Sequence, residues 1–120
     1  NLFEDDPHVG EGMDQAHACK AGHYLQHNYL LGMQALELAG ASAERKQQYL
    51  EESLYYLVLH EMGHTLGLNH NMKASQLHLP KDLHNKELTQ SVGLVGSVMD
   101  YPAVNIHPDQ NKQGQYFTTK

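Results

Sequence analysis

The stretch His60-Glu61-Met62-Gly63-His64-Thr65-Leu66-Gly67-Leu68-Asn69-His70 holds residue types at a spacing that can do chemistry. His60 and His64 are four residues apart, so on a helix they stand one turn above the other on one face. Two imidazole nitrogens so placed can reach one metal ion at about 2.0–2.1 Å each. Glu61 lies beside the first of them, within reach of a water in the metal's open position. That is the H-E-x-x-H pattern, in which the carboxylate acts as general base on a zinc-bound water. Gly67 can take the positive φ that ends a helix and turns the chain back. The turn brings His70 round as a third ligand. Three protein ligands and a free fourth position describe a catalytic rather than a structural zinc site.

The extended pattern H-E-x-x-H-x-x-G-x-x-H is far more specific than its first five residues. A second block follows downstream, Ser97-Val98-Met99-Asp100-Tyr101-Pro102. Together the two blocks resemble the metzincin zinc peptidases, whose signature joins the extended motif to a Met-containing turn under the metal. Gly67, His70 and Met99 match it. In finer detail HEMGHTLGLNHN with SVMDYP is similar to an uncharacterised bacterial family of large zinc-dependent peptidases. The resemblance implies a zinc endopeptidase with His60, His64 and His70 on the metal and Glu61 as base. In some metzincins a Tyr two residues after the turn Met binds zinc or steadies the oxyanion, and Tyr101 occupies that place; the plainer reading is a core or surface tyrosine. Met99 is expected to pack beneath the imidazoles as a soft thioether without touching the metal. Asp100 either orients a ligand histidine, or faces solvent or hydrogen-bonds its own turn. Three imidazoles suit zinc, and they also accept nickel, cobalt and copper. The rival reading is a zinc-stabilised binding or scaffold module that keeps the ligands without the activity. A third is a helical interaction domain whose histidines coincide by chance.

Other candidates have plainer explanations. His23 and His27 are also four apart, but no Glu follows His23 and no third ligand is near, so they read as helix-surface histidines. His78 and His84 are spare ligands or substrate contacts at most. Cys19 reads as a small buried residue. Glu4, Asp5 and Asp6 lack the spacing of a calcium loop and read as a solvated face. Glu51 and Glu52 read as surface charges.

The elements that must position the motif are helical. Asp14 to Ala39 reads as a helix, capped by Asp14, stopped by Gly40 and open to a break at Gly22 or Gly32. Its apolar stripe is Ala18, Ala21, Leu25, Tyr29, Gly32 and Leu36. Ser42 caps a second, from about Ala43 to Leu66, with Glu44 favourable in its first turn. At about 36 Å it is long enough to pair with the first as an αα-hairpin and still carry the motif at its far end. Its expected core stripe is Leu50, Leu54, Leu57, Val58 and Met62. Asn71 to Leu79 reads as a loop with room for one helical turn, interrupted by Pro80. Lys86 to Val92 reads as a short helix ending at Gly93, and Leu94 to Val98 leads into the Met99 turn. Asn105 to Gly114 reads as loop, and Tyr116 to Thr118 as extended or the start of a further element. The fold class is therefore mainly α: a zinc-binding helix paired with an N-terminal helix, then a loop-rich part with the Met turn. Metzincin domains place a twisted sheet before the zinc helix, and no alternating Val, Ile or Thr run precedes His60. Either the sheet lies before Asn1 in a parent protein or it is missing altogether; in the first case the chain carries the ligands without the substrate-aligning wall, and binds zinc yet cleaves peptides poorly.

Composition sets outer limits. The 120 residues fit one domain, read as a single zinc peptidase catalytic fragment over 1–120. A net charge of −6 argues against a nucleic-acid partner. The expected partner is a peptide or protein substrate. No apolar run approaches the ~20 residues of a membrane span. One cysteine excludes an intrachain disulfide and says nothing of redox compartment. The chain starts at Asn1 rather than Met, with no signal peptide, and reads as a piece of a longer protein. That leaves the compartment open, export of the parent included. Oligomeric state is not legible.

Overall fold

The computed structural model describes residues 19–118. Among them are three α-helices: α1 (Ala21–Leu38), α2 (Ala43–Thr65) and α3 (Lys86–Val92). Short 3-10 turns at Met72–Gln76, Pro80–Asp82 and Gln110–Lys112 punctuate the rest, and the described residues contain no strand. The fold is mainly α, as the periodicity predicts.

α1 and α2 pack as the expected hairpin, joined by a tight connection. Gly40 sits at φ +67° just past α1. Its N–H donates to the Glu37 carbonyl, and the Ala41 N–H donates to Leu36. This paired 5→2 and 6→1 closure satisfies carbonyls the helix end would otherwise leave bare. Ser42 then caps α2, its hydroxyl accepting from the Arg45 N–H. α1 starts later than the sequence suggests. Cys19 and Lys20 precede the helix, and Asp14, the expected cap, lies outside the described residues. Lys20 gives its N–H to the Tyr101 hydroxyl at 3.0 Å, a tie to a distant turn that stops the helix extending back through it. Of the α1 stripe, Ala21, Leu25, Gly32 and Leu36 are buried and Tyr29 is half-buried, while Ala18 lies outside the described residues.

The α2 stripe is corrected. Leu54, Val58 and Met62 are more than half exposed. The buried face carries Tyr49, Glu52, Ser53, Tyr56, His60 and Gly63. An aromatic column explains the rotation. Tyr29 stacks on Tyr49, Tyr49 on Phe117, Phe117 on Tyr56, and Tyr56 leans on His60, with centroids 5.3–5.8 Å apart. Aromatic pairs at such spacing contribute about 0.5–1.5 kcal/mol each beyond the area they bury. The column therefore outweighs the leucines that solvent sees on the other side.

Glu52 is also corrected: it is buried, not a surface charge. Its carboxylate accepts the backbone N–H groups of Tyr116 and Phe117 at 2.6 and 3.1 Å, and the Gln48 amide at 2.7 Å. The C-terminal stretch 113–118 is thus a buried, irregular segment clipped beneath α2. Glu51 remains exposed, as expected. α3 has the predicted bounds, capped by Asn85 and followed by Gly93. No helix of the described residues is long and apolar enough to cross a membrane.

Candidate metal centre

Each ring of the motif is aimed by a local contact. His60 is wholly buried, and its Nδ1 lies 2.7 Å from the Val98 carbonyl. A carbonyl can only accept, so Nδ1 carries the proton and the Nε2 lone pair points the other way. His64 is fixed by the same logic, with Nδ1 3.0 Å from the Leu68 carbonyl. Leu68 reaches back because α2 ends as α1 does. Gly67, at φ +83°, donates to His64, and the Leu68 N–H donates to Gly63. Asn71 then donates its N–H to the Met99 carbonyl at 2.9 Å. Between that anchor and the Gly67 turn, His70 is swung back over the end of α2.

The result is convergence. His64 Nε2 and His70 Nε2 are 3.1 Å apart. Two nitrogens at typical zinc distances on a tetrahedral centre would be separated by about 3.3–3.4 Å. The donor atoms of His60, His64, His70 and Cys19 all lie within 4.8 Å of one another. Three imidazoles gathered at this spacing, two of them with the Nδ1 proton held outward by a carbonyl, suit a single metal ion. Burial and the neighbouring His64 and His60 rings hold the His70 pKa below its ordinary value, which favours the neutral, ligating form.

Met99 forms the floor. It is buried, and its sulfur packs so closely under Gly63 that a Cβ there would overlap it. Its turn closes with Asp100 N–H to the Ser97 carbonyl, and Met99 N–H to the Ser97 hydroxyl. Asp100 hydrogen-bonds its own turn: its carboxylate accepts the Tyr101 N–H at 2.7 Å and the Ser75 hydroxyl. Of the readings for Asp100, the structure supports the turn.

Tyr101 stacks on Tyr24 of α1 and brings its hydroxyl within 3.1 Å of His70 Nε2. Burial, then the hydrogen bond it shares with Cys19, push its pKa up to about 12. The phenol therefore keeps its proton while no cation is present. Glu61 is exposed, projecting from the same turn of α2 as His60.

Cys19 was not legible as part of this site. Far from being a core residue, it is only partly buried and points at the rings. Its Sγ is 3.5 Å from His60 Nε2, 3.5 Å from His70 Nε2, 3.3 Å from the Tyr101 hydroxyl and 3.6 Å from Glu61 Oε1. The only signal for it in sequence is that a histidine-rich chain has a single thiol; at 41 residues from His60, no spacing rule applies. Conversely, His23 and His27 are exposed on α1, outside the cluster. His78 donates to the Gly93 carbonyl and His84 accepts the Gly114 N–H, so both are engaged in holding loops.

A family model described as Met-zincin matches residues 42–120, which takes in α2, the Gly67 turn, His70 and the Met99 turn. The chain belongs to the Met-zincin family. No curated protein and no solved structure matches it. Membership agrees with a metallopeptidase-related origin, and the His/Cys cluster with a place for a metal ion. The match begins at residue 42, after α1, so Cys19 and Tyr24 lie outside the matched residues.

Proposed function

We propose that the chain is a single zinc-peptidase catalytic unit, with His60, His64 and His70 as metal ligands, Glu61 as general base and Tyr101 as auxiliary. The observation that carries this reading is the gathering of three Nε2 atoms, those of His60 and His64 held as lone pairs, beside the Glu61 carboxylate. Zinc held there would bring the pKa of a bound water towards 7 and polarise the scissile carbonyl. Glu61 takes a proton from the attacking water and passes it to the leaving nitrogen. Tyr101, protonated and beside His70, donates to the oxygen on which charge develops. The substrate is a peptide or protein. In finer resemblance the chain is similar to the large bacterial zinc-dependent peptidases.

Replacing Glu61 by Gln tests the assignment. The variant keeps one equivalent of zinc and loses hydrolysis of an unfolded protein substrate by about 10²–10⁴-fold, the usual contribution of a positioned general base. The assay uses the full-length protein purified without a nickel column, with and without chelator. Undiminished turnover in Glu61→Gln would remove the base from the scheme.

One observation favours the rival of a metal-stabilised module without activity. Four protein donors, Cys19 included, describe a closed centre of the kind that stabilises folds. Chelator-insensitive hydrolysis excludes both readings. A chelator-induced loss of stability with no hydrolysis under any condition selects the rival.

A further inference from the structure

Glu61 ought to face the place where water sits, and the atom it faces is sulfur. Cys19 Sγ lies 3.6 Å from Glu61 Oε1 and 3.5 Å from both His60 Nε2 and His70 Nε2. On a tetrahedral zinc with Zn–S about 2.3 Å and Zn–N about 2.0–2.1 Å, sulfur and nitrogen ligands are separated by about 3.6 Å. Two independent separations match that edge, and the separation between His64 and His70 nitrogens is close to the shorter nitrogen–nitrogen edge. The thiol is also held there rather than passing by. Lys20, the next residue, is tied to the Tyr101 hydroxyl, Tyr24 stacks on the Tyr101 ring, and α1 packs along α2.

Resting on the reading that His60, His64 and His70 hold zinc, we propose that Cys19 supplies the fourth ligand and that the centre rests closed. As the sulfur binds, the S–H bond breaks, a Zn–S bond forms and the proton leaves to solvent. No oxidation state changes. Opening is the reverse: the sulfur leaves and regains a proton, and water takes the vacated position next to Glu61. The start of α1 is then the element that gates the site, because Cys19 moves only if the Lys20–Tyr101 and Tyr24–Tyr101 contacts loosen. A hydrolase built this way spends its resting state without a metal-bound water.

The test reads coordination, not activity. The 120-residue chain, purified without a nickel column, is loaded with one equivalent of cobalt(II). We expect a near-ultraviolet sulfur-to-cobalt charge-transfer band. Cys19→Ser should lose that band while still binding one cobalt through the three histidines, with zinc affinity lower by about tenfold or more. A second measurement needs no substitution: one equivalent of zinc should slow iodoacetamide alkylation of Cys19 by a similar factor. Stoichiometric cobalt without the sulfur band, together with alkylation indifferent to zinc, overturns Cys19 as a ligand and leaves the three-histidine centre standing. A chain that takes up no stoichiometric cobalt overturns that centre, and this inference with it.

Discussion

At the scale of single residues, the centre depends on what a side chain lacks as much as on what it offers. Gly63 lies between His60 and His64 on α2, where the Met99 sulfur occupies the space a Cβ would need. A helix interior tolerates alanine better than glycine by about 1 kcal/mol, so propensity alone makes Gly63→Ala stabilising. The overlap with Met99 opposes this. Overpacking of a buried contact costs about 1–3 kcal/mol and shifts backbone. Here any shift moves the turn between His60 and His64, or the Val98 carbonyl that aims His60. We expect Gly63→Ala to lower stability in denaturant titration and to weaken zinc binding in a chelator competition. Gly63→Ala combined with Met99→Ala, which removes the obstructing sulfur, should recover part of the zinc affinity. A single variant as stable as the parent, with unchanged affinity, would mean that the sulfur has room to move.

At the scale of elements, legibility followed the range of the interactions that decide each feature. His60, His64 and the Gly67 turn were readable because helix geometry and a positive φ act over a few residues. The bounds of α3 and the caps at Ser42 and Gly40 were readable for the same reason. The buried face of α2 was not, because the leucine stripe looks like a core while the true core face holds Tyr49, Glu52, Ser53 and Tyr56. Their partners, Tyr116 and Phe117, are more than 60 residues away, and no local pattern announces them. Glu52 shows what such a contact is worth. Truncation to alanine leaves two buried backbone N–H groups without an acceptor, at about 1–3 kcal/mol each. Glu52→Ala should therefore be among the most destabilising single changes, and it should free the segment 113–118 to faster amide exchange. Glu52→Gln retains an acceptor and should cost less. Gly67 gives the complementary case at the other end of α2. Nothing crowds it, so Gly67→Ala meets only the left-handed backbone, about 1–2 kcal/mol. If that turn is what delivers His70, the variant also loses zinc affinity, whereas Gly40→Ala, in the same conformation at the end of α1, loses stability alone.

At the scale of the whole molecule, the described part is held together by two hairpin helices and by loops that reach back to them through side chains. His84 is one such fastening. Its Nδ1 accepts the Gly114 N–H at 3.0 Å, and its ring meets His107 edge-on at 4.8 Å. Burial first, then the neighbouring His107, hold its pKa below the ordinary 6.5. The sign of the consequence follows from proton counting. The unfolded chain takes up the His84 proton at the ordinary value and the folded chain only at a lower pH. The stabilisation is therefore complete above about pH 6.5 and is lost as pH falls through the depressed folded value. Protonating Nδ1 turns an acceptor into a donor facing the Gly114 N–H, so the bond that clips the C-terminal segment is lost in the same step. Gly114 also packs against the His84 backbone too closely to admit a Cβ, so the two segments cannot separate at one contact and keep the other. Unfolding free energies of the metal-free chain, measured at about pH 7.5 and about pH 5, should fall on acidification. The His70 pKa is shifted with the same sign, so the informative quantity is the difference from His84→Gln. Glutamine can still accept the Gly114 N–H but does not titrate, and the variant should lose less stability than the parent over that interval. Equal losses in the two proteins would show that His84 does not couple the C-terminal segment to pH.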